Sequence, residues 1–222
     1  MSSGAPRRII GGHTFLHKWC NGYSGQLIAV NKFFTALKIT THKVSAMKLS
    51  RVTFKYLSFS LLILAALAGC TGMPEGVEPV TDFDKSRYLG TWHEIARLDH
   101  SFERDLVDVT AEYALRDDGA VRVINSGTDS ETGERKVAEG HAKFVGDEST
   151  AHLKVSFFGP FYGSYVVFEL DPDYQYAFVA GYNTNYLWLL ARETEINEDI
   201  RQRFINRARA LGFAVDELVW LH

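Results

Sequence analysis

The chain has 222 residues, 46% of them hydrophobic and 13% aromatic. Its formal charge of −3 conceals a division: residues 1–70 hold nine Lys/Arg and no acid, whereas residues 71–222 hold 15 Lys/Arg and all 27 Asp/Glu, a formal −12. So acidic a body excludes nucleic acid as a partner, which needs a basic surface facing the phosphates, and with both cysteines, Cys20 and Cys70, outside it no disulfide staples the core.

Residues 1–46 carry Gly, His and Ser/Thr without sustained periodicity and precede a well-placed start methionine, Met47. They read as a disordered extension or the product of an upstream start codon. His13, His17 and Cys20 lie in this unpatterned basic stretch, which gives them no geometry for a metal site. Residues 47–69 read as a secretory signal peptide: a basic start with Lys48, Arg51 and Lys55, a short apolar run over residues 56–66, and small residues at the end. The run is too short for a comfortable membrane span. Leu67-Ala68-Gly69-Cys70 resembles a bacterial lipobox, which implies cleavage before Cys70 and acylation of its thiol and new amino group. Two or more acyl chains anchor stably, at about 0.8 kcal/mol per buried CH₂. Thr71 stands where an Asp would favour inner-membrane retention, so the expected location is the outer membrane, facing the periplasm. Residues 70–79, with Gly72, Pro74, Gly76 and Pro79, form a tether.

Residues 80–222 form the folded body. Alternation predicts strands over residues 93–98, 107–115, 120–127, 136–144, 151–158, 164–170, 176–182 and 186–192. Asp117-Asp118-Gly119, Asp171-Pro172-Asp173 and Asn183-Thr184-Asn185 supply turns, and residues 159–163 form a rigid corner. Residues 99–105 break the alternation and read as a loop over one end. Eight regularly spaced antiparallel strands suggest a sandwich or an up-and-down barrel. The period then changes. Asn197 can cap a helix with Glu198 and Asp199 in its first turn. Ile200, Phe204, Ala208 and Leu211 make one apolar stripe, and Gly212 is a suitable stop. Residues 218–221 predict a short last strand.

Three stretches resemble one family, the lipocalins, and among them the bacterial lipoprotein lipocalins. They are Gly90-Thr91-Trp92 followed by His93-Glu94-Ile95-Ala96-Arg97, then Val155-Ser-Phe-Phe-Gly-Pro-Phe-Tyr-Gly163, then Tyr186-Leu-Trp-Leu-Leu-Ala-Arg192. The resemblance implies an all-β fold: an eight-stranded antiparallel up-and-down barrel with one C-terminal helix packed outside. It also implies that Gly90, Trp92 and Arg192 form a structural motif closing one end, with the Arg laid across the indole. The family's second motif, commonly Thr-Asp-Tyr, reads Asp171-Pro172-Asp173 here.

With Trp92 inward, alternation matched to the family places Glu94, Ala96, Tyr113, Val123, Asn125, Phe144, Val155, Phe157, Phe168, Tyr186 and Trp188 around an interior pocket. Ala111, Ala138, Gly140, Ala142 and Val166 are placed inward with them. Small residues leave volume and aromatics supply walls, which suits one or two acyl chains of a fatty acid or lysophospholipid. The alternative is an envelope structural or assembly lipoprotein whose inward aromatics fill the barrel. Phe102 and Phe161 are candidates for the rim, as lipid contacts or as loop anchors. Catalysis finds no support. There is no metal-ligand spacing, Gly-x-Ser-x-Gly elbow or phosphate-binding loop, and parity sends His141 and His152 outside. Asp99-His100-Ser101 contains triad residue types, but adjacent residues in one loop seldom point at one another. No cofactor is expected, and homodimers occur among lipocalins.

Overall fold

The computed structural model describes residues 71–221. The extension over residues 1–46, the signal peptide over 47–69 and the acylation site Cys70 lie outside the described residues. A short helix α1 (Lys85–Tyr88) precedes β1 (Gly90–Leu98), β2 (Leu106–Leu115), β3 (Val121–Asp129), β4 (Arg135–Phe144), β5 (His152–Phe158), β6 (Phe161–Leu170), β7 (Tyr176–Ala180) and β8 (Leu187–Ala191). Helix α2 (Glu198–Ala210), a 3₁₀ turn (Val215–Glu217) and β9 (Leu218–Trp220) follow. Sequential strands pair antiparallel from β2 to β8, and β1 joins β8 to β2, so the eight-stranded barrel closes.

β1 pairs with β2 only over Gly90–His93. Past that point β9 takes over the vacated edge, setting Ala96 opposite Trp220 and Leu98 opposite Leu218. The final strand thus covers an edge that would otherwise invite pairing with another chain.

The turns follow their chemistry. Gly119 has φ +80° after β2, a left-handed conformation that glycine adopts without a Cβ clash. The Asp171 carboxylate accepts from the Asp173 and Gln175 amides at 3.0 and 3.1 Å, so the turn before β7 holds without the family's common motif. Helix α1 is capped by Asp84, whose carboxylate accepts from the Ser86 amide. One expectation shifts. The corner over 159–163 shrinks to Gly159 and Pro160, because β6 starts at Phe161.

Helix α2 lies against the outside of the barrel. Asn197 caps it, accepting from the Ile200 amide at 2.9 Å. Phe204 and Ala208 are fully buried in a cluster with Ile95, Phe178, Leu187 and Leu189. Arg201 sits 3.9 Å over the Trp220 ring, and Arg203 pairs with Glu169.

β4 and β5 approach closely at Gly140. A Cβ there would meet the Ser156 carbonyl oxygen at 2.5 Å and the Phe157 ring at 2.8 Å. Gly140→Ala is therefore expected to cost roughly 1–3 kcal/mol through overpacking. Gly146→Ala, with nothing within 4 Å of the new carbon, should stay within about 0.5 kcal/mol of wild type. Urea unfolding of the pair checks this, and equal stability would contradict the close approach.

Candidate functional site

The barrel has two apolar clusters on opposite faces of its wall. The outer one lies under α2, and the inner one gathers Trp92, Tyr113, Val121, Val123, Leu153, Val167, Val179 and Leu190 with Phe83 and Tyr88. Only the inner set can meet a molecule inside the barrel.

The floor is built on Trp92, which is wholly buried. Its Nε1–H donates to the Tyr88 carbonyl at 2.8 Å, which satisfies the indole's one donor. The Arg192 guanidinium lies 4.0 Å from the indole centroid. It donates to the carbonyls of Thr91, Arg87 and Leu89 at 2.8, 2.8 and 2.9 Å, binding the end of α1 to the start of β1. Gly90, at φ +92°, turns the chain between them.

Just above the floor, the hydroxyls of Tyr88 and Tyr165 are 2.7 Å apart, and those of Tyr113 and Tyr165 are 3.0 Å apart. Burial, first of all, pushes the Tyr113 hydroxyl's pKa well above its ordinary value, so the trio stays neutral and acts as a hydrogen-bonding ledge. A cavity of about 20 Å³ opens beside it, lined by Tyr88, Tyr113, Ala142, Phe144, Val155 and Tyr165 among others.

A buried polar group occupies the upper half of the interior. Arg97 Nη1 donates to Glu94 at 2.8 Å, and Nη2 donates to the carbonyls of Glu103 and Leu106 at 2.8 and 3.1 Å. Arg97 therefore ties the loop 99–105 to the wall. Glu103 accepts from the Trp188 indole at 3.1 Å. His100 Nε2 lies 3.2 Å from the same carboxylate but off the hydrogen-bond direction, and the imidazole stacks on Phe102 at 3.9 Å. Burial lowers the pKa of His100, which favours neutral imidazole. For Glu94, burial and then the neighbouring Glu103 charge push the carboxyl well above its usual range, against the pull of Arg97. Among the described residues, no group of three or more His, Cys, Asp or Glu is arranged to hold a metal ion.

The positions expected around the pocket divide. Tyr113, Val123, Phe144, Val155, Phe157 and Trp188 belong to the inner cluster, and Glu94 lies in the polar group with Arg97. Tyr186 stacks with Trp188, ring centroids 6.2 Å apart, at the upper end. Asn125 stands opposite Ala111 and Ala138, and its buried Oδ1 has no hydrogen-bond partner. Ala96 and Phe168 are corrections: both sit in the outer cluster under α2, as does Val166. A bulge between Glu94 and Ala96 resets the alternation of β1, so Arg97 points inward instead. In β6 both faces are apolar because the helix covers the outside, so alternation could not set the phase. Tyr165 and Val167 are its inward residues.

Sequence reasoning missed Tyr88, Arg97, His100, Glu103 and Tyr165. Trp188 gave one usable signal, since a buried indole requires an acceptor.

Many inward residues remain half-buried. Ala111, Asn125, Ala138, Phe144, Val155, Phe157, Tyr165 and Trp188 all keep accessible surface, while Phe178, Leu187 and Leu189 under the helix keep none. These positions are therefore packed less tightly than the layer under the helix.

The sequence matches the model of the Lipocalin-like domain family over residues 83–222. It is 54% identical over 164 residues to the outer membrane lipoprotein Blc of Vibrio cholerae, covering 73% of this chain and 96% of that protein. Identity to the protein of the same name from Escherichia coli K12 is 49% over 148 residues, 67% of this chain and 84% of that one. Among solved structures, insecticyanin from the tobacco hornworm Manduca sexta superposes with a TM-score of 0.55 at 21% identity, covering 68% of this chain and 86% of its own.

Proposed function

Because this chain belongs to the lipocalin family, whose members are binding proteins rather than enzymes, we propose that its barrel reversibly holds a fatty acid or lysophospholipid. Relatives at about half identity make it an outer-membrane lipoprotein. In the proposal Cys70 carries the acyl anchor and the barrel faces the periplasm, storing or carrying single-chain lipids within the envelope.

The observation that carries this reading is the accessible inner wall described above. It also weighs against the alternative of a filled barrel serving only as a docking body. The small inner residues Asn125 and Ala138 keep accessible surface, as do the rings of Phe144, Phe157 and Trp188. An acyl chain of about fifteen carbons gains on the order of 10 kcal/mol by leaving water, much of it offset by ordering and incomplete burial. Asn125 Oδ1 is buried without a partner, an acceptor that a lysophospholipid hydroxyl could satisfy, and the tyrosine ledge keeps one hydroxyl proton beyond its two mutual bonds.

Titration of delipidated protein with a fluorescent fatty-acid analogue should saturate near one per barrel. Tyr113→Arg, which sets a charge into the inner cluster, should weaken binding at least tenfold, because an unpaired buried charge must be resolvated before the chain can enter. Saturable binding absent from wild type, or unchanged in Tyr113→Arg, would defeat the reading.

A further inference from the structure

The hairpin of β5 and β6 ends in an apolar tip at the barrel's upper end. Phe158 and Phe161 are cross-strand partners, each 42% exposed, and only Gly159 and Pro160 separate them. Two adjacent half-exposed rings at a hairpin tip make a small apolar patch. No Asp or Glu occurs between Glu148 and Glu169, although the body is strongly acidic overall. Lys154 on the same hairpin lies 5.2 Å over the Tyr162 ring. An anionic lipid surface would therefore meet apolar rings and a cation here, without a repelling carboxylate on the hairpin.

An independent observation says what covers it. The carbonyl of Thr71 lies 3.1 Å from His152 Nε2, and Ser164 Oγ is 3.1 Å from the same nitrogen. The chain therefore joins the barrel on the outer face of this very hairpin. Cys70, the acylation site of the reading above, precedes Thr71 in the chain. Along the strands, His152 lies six residues from Phe158, about 20 Å, and Ser164 three residues from Phe161, about 10 Å. The first described residue of the chain and the aromatic tip thus lie on the same hairpin.

We propose that Phe158 and Phe161 insert into the same membrane leaflet that holds the acyl chains of Cys70, seating the upper, open end of the barrel against the bilayer. Docking requires only the anchored barrel. Its use, a short path for a lipid between leaflet and interior, rests on the binding reading above.

The test uses acylated protein in vesicles of phosphatidylethanolamine and phosphatidylglycerol. A bimane label is placed at Phe161→Cys or, at the opposite end, at Asp117→Cys in the β2–β3 turn. Lipids brominated on their acyl chains should quench the label at 161 at least threefold more strongly than the label at 117. Equal quenching overturns the proposal. So does a blue shift at 161 that appears without vesicles and grows with protein concentration, which would mean that a second copy covers the tip. Phe158→Ser with Phe161→Ser should slow delivery of a fluorescent fatty acid to acceptor vesicles about tenfold and leave its Kd within twofold. A weakened Kd with unchanged delivery would make these residues part of the pocket and overturn the docking role. If wild type binds no fatty acid, the binding reading alone fails, and the quenching comparison still decides the docking.

Discussion

Trp92→Ala is expected to lower the stability of the folded chain by about 3–5 kcal/mol, the range for emptying a fully buried large aromatic site. The indole fills the floor, so its removal leaves a cavity beneath the tyrosine ledge that surrounding strands cannot close. Two further contacts go with it: the hydrogen bond to the Tyr88 carbonyl and the stacking of Arg192 at 4.0 Å. Trp92→Phe separates these effects. It keeps most of the apolar volume and loses the N–H bond, so a smaller cost, about 1–2 kcal/mol, is expected. Arg192→Ala leaves the carbonyls of Thr91, Arg87 and Leu89 short of a donor. A double-mutant cycle should return a coupling between Trp92 and Arg192 of about 0.5–2 kcal/mol. Urea denaturation measures all of these, and a coupling of zero would mean that the guanidinium and the indole act independently.

Arg97→Ala should be comparably damaging, about 3–5 kcal/mol, because it removes the buried guanidinium shared by the Glu94 carboxyl and two backbone carbonyls. Glu94, Arg97 and Glu103 are 3%, 2% and 5% exposed, so water cannot take the place of the lost guanidinium. The carbonyls of Glu103 and Leu106 lose their donor too, which frees the loop 99–105 at the barrel mouth. Glu94→Gln should be far milder, since the folded state already favours a protonated Glu94. The pH dependence follows from linkage. The folded pKa of Glu94 lies above its unfolded value, so the folded state holds a proton that the unfolded state releases. That proton's contribution is fully present below the ordinary carboxylate range. It is lost progressively as pH rises from there to the raised folded value. Relative to wild type, Glu94→Gln should therefore gain stability across that interval and level off above it. Denaturation curves at several pH values test the sign, and a constant difference would contradict a raised Glu94.

The sequence was most legible where one physical demand acted alone. Eight strands with turn residues between them, an Asn197-capped helix with one apolar stripe, and a wholly buried Trp each follow from local chemistry, and the barrel with its external helix is what folds. Legibility failed where two demands were superposed. β6 is apolar on both faces because α2 covers one of them, so period two carried no phase, and Phe168 was set inside when it lies outside. In β1 a bulge between Glu94 and Ala96 changed which residue points inward. Strict alternation makes Ala96 an inner residue and hides Arg97, the cation around which the interior polar group is organised. His100 and Glu103 lie on a loop, where no periodicity announces a buried role. The tip at Phe158 and Phe161 was half visible. Phe161 was a rim candidate and Phe158 was not, and only the placement of Thr71 on His152 relates the pair to the chain's entry.

The central claim is that the barrel is hollow and holds a single-chain lipid. Its most direct test is mass spectrometry of lipid extracted from the protein after purification out of membranes and exhaustive washing. The claim predicts one fatty acid or lysophospholipid per barrel, reduced at least tenfold in Tyr113→Arg protein purified in parallel. Protein that comes out free of such lipid, or a Tyr113→Arg variant carrying as much as wild type, would contradict it.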